Sequence, residues 1–452
     1  MAEIDPVSLA YQLATAQVEA ARQQVSLQTQ RAEKTSRALD RLKSALSTFE
    51  TALSELSGSQ GLRKFSTTFS ATDVATATTT SKAQPGTYSF HVEQLATAHQ
   101  IAFEDLPAVP VSSGGPLIVQ LSDGTTINVD LLAADTDEDG VISQSEIARA
   151  INQAEDNAGR VIASVVTVGG KSQLLLTARD TGAASKISLD VSGLPAGALR
   201  SALENGHELV AAQDAVIWLG GLNGIRIQQA SNTFTGIEGV SVTFTRAMDA
   251  SEQPVTLTVS ADAGGTADSV QKFVNAFNTL LGVLDELTRS GNAEEGVEAA
   301  ALASDASVRT LRSRLNQIIR QEFDGISLVD LGIKADRTGK LTLDRDRLEK
   351  RLASDPDALE IVFGSARITN RSGVLGALDE YLDVWLKSGS GLIATRKESV
   401  QSIQKNLTAR QARIDMQFES YYQRYLAQFT QLQTLQSRMG ETSGLFSSVL
   451  GV

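Results

Sequence analysis

Apolar or small residues recur at Tyr11, Ala14, Val18, Ala21 and Val25, and after Gln28 the spacing of three and four resumes through Ala32, Leu39, Leu42, Leu46, Phe49, Leu53 and Leu56. A seam held over about six heptads predicts one long helix that packs along another helix. Its first half places Ala, Gln28 and Thr35 at the seam, which are weak knobs, and its second half places Leu and Phe there. The first half is therefore expected to be the less stable. The far end of the chain mirrors this pattern: from Val400 the apolar positions run Ile403, Leu407, Ile414, Phe418, Tyr421, Tyr425, Phe429, Leu432 and Leu435. Extra steps of four move the period toward 3.6, which predicts a bent or gently supercoiled helix. The two helices are expected to pair with each other or with other subunits.

Between them the period changes to two. The segments TYSFHVEQ, PLIVQL, TTINVDL, RVIASVVTV, QLLLTA, KISLDV, GIRIQQ, VSVTFT and VTLTVSA, all between about Phe65 and Ser260, alternate apolar and polar positions and predict strands. One helix, Ser143 to Asn157, interrupts them, and helical periodicity returns from about Thr266. The pattern predicts an α+β multidomain chain: long N- and C-terminal helices forming a coiled-coil-like leg, with inserted β-rich head domains.

Composition narrows the chemistry. The 452 residues exceed what one core usually organises. The net charge of −13, without a basic cluster, argues against nucleic-acid partners. Cysteine is absent, which removes disulfides, thiolate metal sites and cysteine nucleophiles together. No apolar run is long enough to insert in a membrane, and the N-terminus has neither the basic start nor the apolar stretch of a secretory signal. No nucleotide-binding, zinc-protease or serine-hydrolase motif occurs, and the three histidines have no partner pattern. His91 reads as a strand histidine on a polar face, His99 and His207 as surface or turn residues. Asp344 and Asp346 alternate with Arg345 and Arg347, which reads as helix capping and pairing. The chain is not expected to be an enzyme.

Two features remain. An underpacked helix seam is stable only when a partner supplies apolar surface. This points to Val25, Leu39, Leu42, Ile403, Leu407, Ile414, Phe418, Tyr421, Tyr425 and Phe429 as an assembly interface, with a self-contained hairpin of the two helices as the alternative. The second feature is DTDEDGVISQSE, residues 135–146. Asp135, Asp137 and Asp139 occupy positions 1, 3 and 5 of a calcium loop, Gly140 position 6, Val141 position 7, Ser143 position 9 and Glu146 position 12. Alternate carboxylates converge on one centre, the Val141 carbonyl adds an oxygen and Glu146 closes the shell, so one structural Ca2+ is expected. Ser143 with Glu146 is equally a helix capping box, the preceding segment reads as strand, and no second loop pairs with this one.

SKAQPGTYSFHVEQLATAHQIA (residues 81–102), EIARAINQA with GRVIASVV, SNTFTGIEGVSVTFT, SVQKFVNAFNTLL and LGIKADRTGKLTLDRDRLEKRLASDPDAL follow one another as in the flagellar filament-cap family, hook-associated protein 2, which the chain resembles over nearly its whole length. The acidic loop is not part of the family's general pattern. The resemblance implies terminal coiled-coil helices (1–45 with 396–452), a helical leg (46–80 with 267–395), a β-rich head (81–110 with 212–266) and a second head domain inserted in it (111–211). It implies a secreted, non-enzymatic protein, exported without a cleaved signal peptide to the distal tip of the flagellum. There a homo-oligomeric ring of copies would promote insertion and folding of flagellin. Flagellin, the hook-filament junction protein and a flagellar export chaperone are the implied partners. The alternative function is a secreted, calcium-stabilised adhesin binding surface glycans through its head.

Overall fold

The computed structural model describes residues 5–58, 61–104 and 106–450, with side chains described through Thr442. Residues 1–4 and 451–452, at the outer ends of the expected terminal helices, lie outside the described residues, as do 59, 60 and 105. The chain divides into two compact units, one formed by residues up to Leu62 with those from Thr266 onward, the other by Arg63–Gly265. The four segments expected from the sequence do not subdivide these two cleanly: Lys64–Phe69 and Ala75–Thr79, expected within the helical leg (46–80), are strands of the β-rich unit, because their alternating residues pack into its sheets.

The helical unit begins with Pro6–Leu56. Asp5 caps it by accepting the Val7 N–H at 3.1 Å, and Pro6 sits at the helix start, where no intrahelical N–H partner is required. Val18, Val25, Ala32, Leu39, Leu42, Leu46, Phe49, Leu53 and Leu56 are buried, so the seam read from the sequence is the packed face. It lies along the C-terminal helix Leu392–Leu450 and meets Ala263–Thr288, Ala306–Ile318 and Gly373–Leu386 in one core. Both halves of the seam are buried, and aromatic rings gather in the core around its second half. Phe49 meets Phe277 edge-on at 5.9 Å, and Phe273 meets Phe363 at 5.2 Å.

In the β-rich unit every alternating segment named above forms a strand. A five-stranded antiparallel sheet runs in the order Lys64–Phe69, Val255–Asp262, Gly86–Gln94, Ala215–Leu219, Ile225–Gln229. A three-stranded sheet of Thr233–Ile237, Val240–Phe244 and Ala75–Thr79 shares its core, and Phe90 packs edge-on against Phe244 at 5.4 Å. A second core lies between Phe103 and Leu203 in sequence. It is built from a four-stranded sheet ordered His207–Val210, Ala98–Glu104, Lys171–Thr181, Val161–Val168, and a three-stranded sheet ordered Ile187–Asp190, Pro116–Leu121, Thr126–Asp130. The helix Gln144–Gln153 buries Ile147 and Ile151 in this core.

Candidate functional site

The terminal helices run antiparallel. Arg22 bonds Asp415 at 3.0 Å, Arg410 donates to Gln24 at 3.2 Å, and Lys397 pairs with Asp40. Val25, Leu39, Leu42, Leu407 and Ile414 are buried inside this hairpin. Each helix therefore supplies much of the apolar surface that the other lacks. Ile403, counted with the seam on spacing, is 48% exposed. The buried positions nearest it are Val400 and Leu407, seven residues apart, so the packed stripe passes it by.

The remaining expected residues gather near the open end of the hairpin. Phe418 meets Tyr11 edge-on at 5.5 Å, stacks on Tyr422 at 6.3 Å and carries the Arg22 guanidinium 4.8 Å over its ring. Arg424 covers Tyr421 and Tyr425 at 5.1 and 5.0 Å. Phe418, Tyr421, Tyr425 and Phe429 are each only partly buried. Tyr11 lies five residues from the start of its helix, so from about residue 426 onward the C-terminal helix passes beyond its antiparallel partner among the described residues. Leu432, Leu435 and Met439 on that extension are 43, 58 and 65% exposed. Met439 was absent from the expected interface, although continuing the three-four spacing past Leu432 would have reached it.

The acidic loop is placed by the strand Thr126–Asp130 and the helix Gln144–Gln153. Carboxylate oxygens of Asp135, Asp137 and Asp139 all lie within 4.8 Å of one another. Asp135 Oδ2 accepts the Gly140 N–H at 2.9 Å, while Asp135 Oδ1 is buried without a hydrogen-bond partner among the described residues. Val141 follows Gly140, whose φ of +81° supplies the turn that glycine tolerates. Glu146 stands apart from the three aspartates. It is 4% exposed, its Oε1 accepts the Thr136 N–H at 3.0 Å, and its Oε2 accepts both the Ser143 N–H and hydroxyl at 2.9 Å. The Ser143 hydroxyl in turn accepts the Glu146 N–H, completing the capping box. The bond from the Ser143 N–H, more than burial opposes it, holds the Glu146 carboxyl below the ordinary glutamate range. The chemistry of the three aspartates fits a hard divalent cation, since close carboxylates repel and one oxygen lacks a donor. Glu146 would have to share its oxygens with the helix cap.

Two of the histidines differ from their expected setting. His91 and His99 are each 1% exposed, and His207 is exposed. Residues 246–252 lie against the strand that carries His91, with the Met248 N–H donating to the Val92 carbonyl at 2.7 Å, so that face is not a solvated one. His99 Nδ1 accepts the Ile187 N–H at 3.1 Å, which leaves Nε2–H to donate to Glu208 at 3.0 Å. His99 thus ties three strands together. Asp344 caps the helix Arg345–Ser354 by accepting the Arg347 N–H at 3.1 Å, as its sequence position indicates. No helix of the described residues is long and apolar enough to cross a membrane.

Residues 2–99 match the family model for the N-terminus of flagellar hook-associated protein 2, and residues 212–441 match the one for its C-terminus. The chain is 35% identical to the lateral flagellar hook-associated protein 2 of Vibrio parahaemolyticus, with 85% of each chain covered. It is 30% identical to the flagellar hook-associated protein 2 of Escherichia coli, over 89% of this chain and 86% of that one. A crystal structure of the D1-D2-D3 domains of the flagellar cap protein FliD from Escherichia coli superposes with a TM-score of 0.60 at 27% identity, covering 80% of this chain and 99% of that one. The acidic loop falls in 100–211, between the two family-model matches.

Proposed function

The chain belongs to the flagellar hook-associated protein 2 family, and from that premise we propose that it is a non-enzymatic cap subunit at the distal end of a flagellar filament, outside the cell. The observation that carries this reading is the similarity over most of the chain's length, joined to a helical hairpin whose C-terminal arm extends past its partner with Phe429, Leu432, Leu435 and Met439 along it. An apolar helix end of this kind is stabilised by contacts in an assembly. Further copies in a ring, flagellin and the hook-filament junction protein are the partners proposed for it once outside. A flagellar export chaperone would cover the same stripe before export, which removes no signal peptide. The cap would hold arriving flagellin in place while it inserts and folds. Deleting the gene in the source bacterium should leave truncated or absent filaments and flagellin in the medium. Filaments of normal length with no flagellin lost would overturn the proposal.

A second element of the proposal is one structural Ca2+ on Asp135, Asp137 and Asp139, with the Val141 carbonyl, Ser143 and Glu146 completing the shell. The buried, unpartnered Asp135 Oδ1 favours it. A single loop suits weak binding of about 10⁻⁴ to 10⁻³ M. Calcium at a hundredfold excess over the dissociation constant then stabilises the folded state by about 2.7 kcal/mol. Melting of the full chain in calcium and in chelator tests this: Asp135→Ala should abolish the difference, and equal melting temperatures for the unaltered chain would leave the loop a capped acidic turn.

A further inference from the structure

The strand Val161–Val168 forms one edge of its four-stranded sheet and pairs on its inner side with Lys171–Thr181, in register from Val161 opposite Ala178 to Val168 opposite Lys171. Gly169 and Gly170, at φ +59° and +83°, make the two-residue turn between them, and glycine suits a turn with positive φ at both positions. The outer side of the edge is closed along only half its length. Asn157 accepts the Val161 N–H and donates to the Val161 carbonyl, both at 2.8 Å. Asn152 does the same for Ala163 at 2.9 and 2.7 Å. Each side-chain amide thus stands in for the peptide group of a neighbouring strand.

Ladder geometry alternates, so the next outward-facing backbone groups belong to Val165 and Thr167. Among the described residues none bonds to them on that side. The side chains around them are apolar and open to solvent: Ile162 is 52% exposed, Val166 40% and Val168 62%. Free edges are usually blunted by lysine, proline or a bulge. Here no charged residue or proline occurs from Val161 to Gly170, in a chain whose net charge is −13.

We propose that this half-open edge pairs antiparallel with the same edge of a second copy of the chain, about a two-fold axis at Val166. The asparagine caps set the register. Pairing must stop before Ala163, whose outer groups are occupied, and in the register centred on Val166 the two free residues, Val165 and Thr167, face each other and exchange their N–H and C=O bonds. Val166 then lies opposite Val166, and Ser164 opposite Val168. The residues facing Ala163 and Ile162 are Gly169 and Gly170, which bring no side chain toward the asparagine-capped end. Self-pairing also favours a second copy over a foreign strand, because an uncharged strip sets no like charges opposite each other, whereas most of this acidic surface would. The strip is short compared with a stable interface of at least about 1,200 Å². The pair therefore forms where copies are concentrated, and it closes an edge otherwise open to aggregation. The contact is two-fold, distinct from contacts that close a ring, and it stands whether or not the chain caps filaments.

Because the chain has no cysteine, single-cysteine variants of the full-length protein report the register directly. Residues facing each other in a non-hydrogen-bonded pair lie about 4.5 Å apart between Cα atoms, within disulfide reach. Under mild oxidation Val166→Cys should form a covalent dimer at least tenfold faster than Ile368→Cys, a control at an 84% exposed site. Ser164→Cys and Val168→Cys chains should cross-link when mixed, and each far more slowly alone. Adding Thr167→Pro, which removes an outward N–H that an edge strand can spare, should slow the Val166→Cys reaction at least tenfold while the melting temperature stays within a few degrees. Equal rates for Val166→Cys and Ile368→Cys, or no selectivity in the mixed pair, would overturn the pairing, and those two readouts do not depend on the proline variant folding. Cross-linking of Val166→Cys only to an added flagellin that carries an introduced cysteine of its own would equally replace the second copy by a foreign strand.

Discussion

At the scale of single residues, polar side chains act here mainly by completing backbone. Asn152 and Asn157 replace a missing strand, Glu146 and Ser143 replace the missing turn before a helix, and His99 receives an N–H that its own sheet leaves over. Arg246 works through charge as well, bonding Glu252 at both carboxylate oxygens (3.0 and 2.9 Å) and Asp73 at 2.9 Å. Those bonds from Arg246, followed by one from the Asp249 N–H, hold the Glu252 carboxyl down to about 2. A depressed carboxylate contributes its stabilisation fully above the unfolded value of about 4.3 and loses it as pH falls through the folded one. The Glu252 resonance in an NMR titration should therefore titrate near 2, and Arg246→Ala should return it toward 4.3. A midpoint near 4.3 in the unaltered chain would contradict the geometry.

At the scale of elements, the two terminal helices divide into a stretch where each covers the other and a stretch where the C-terminal helix runs on past its partner. Leu42 is 0% exposed in the covered stretch, so Leu42→Ala should cost about 2–5 kcal/mol in denaturant unfolding. Ile403→Ala, on the outer side, should change stability by no more than about 0.5 kcal/mol. A comparable loss at both positions would mean that the helix is rotated from the orientation described. Proteolysis reads the same division, since cleavage requires local opening and opening is easiest where tertiary contacts are few. Trypsin should cut at Arg438 before Arg410 or Arg413. Mass spectrometry of early fragments tests this, and cuts at the latter sites first would place the weak stretch elsewhere.

At the scale of the whole molecule, residues 63–265 carry two hydrophobic cores of their own, around Phe90 and around Phe103, while the helical unit is completed by residues on both sides of that insertion. A segment with its own buried cores, its strands paired within itself, is expected to fold alone. The fragment 63–265 should unfold cooperatively on heating, and its transition should match one of two seen for the full chain. A fragment without a cooperative transition would show that its stability depends on the rest of the protein.

Periodicity was legible in the sequence wherever one physical rule decided the outcome. A heptad seam must bury its stripe, alternating residues must divide between two faces, and Ser143 three residues before Glu146 must cap a helix; all three are present. The aspartates at alternate positions were legible as a cluster for the same local reason. What the spacing could not decide was which surface covers which. The segments AHQIAFE and HELV are strands despite their broken alternation because they pair with each other, and the first also with Lys171–Thr181, while His99 of the first bonds Glu208 of the second. Ile403 fits the seam in number but not in angle, because the buried stripe from Val400 to Leu407 drifts past it as the helix winds. His91 and the free half of the Val161–Val168 edge became visible only when distant segments were placed beside them. Burial and edge exposure depend on contacts between residues far apart in the chain, and a single sequence records only the spacing of near ones.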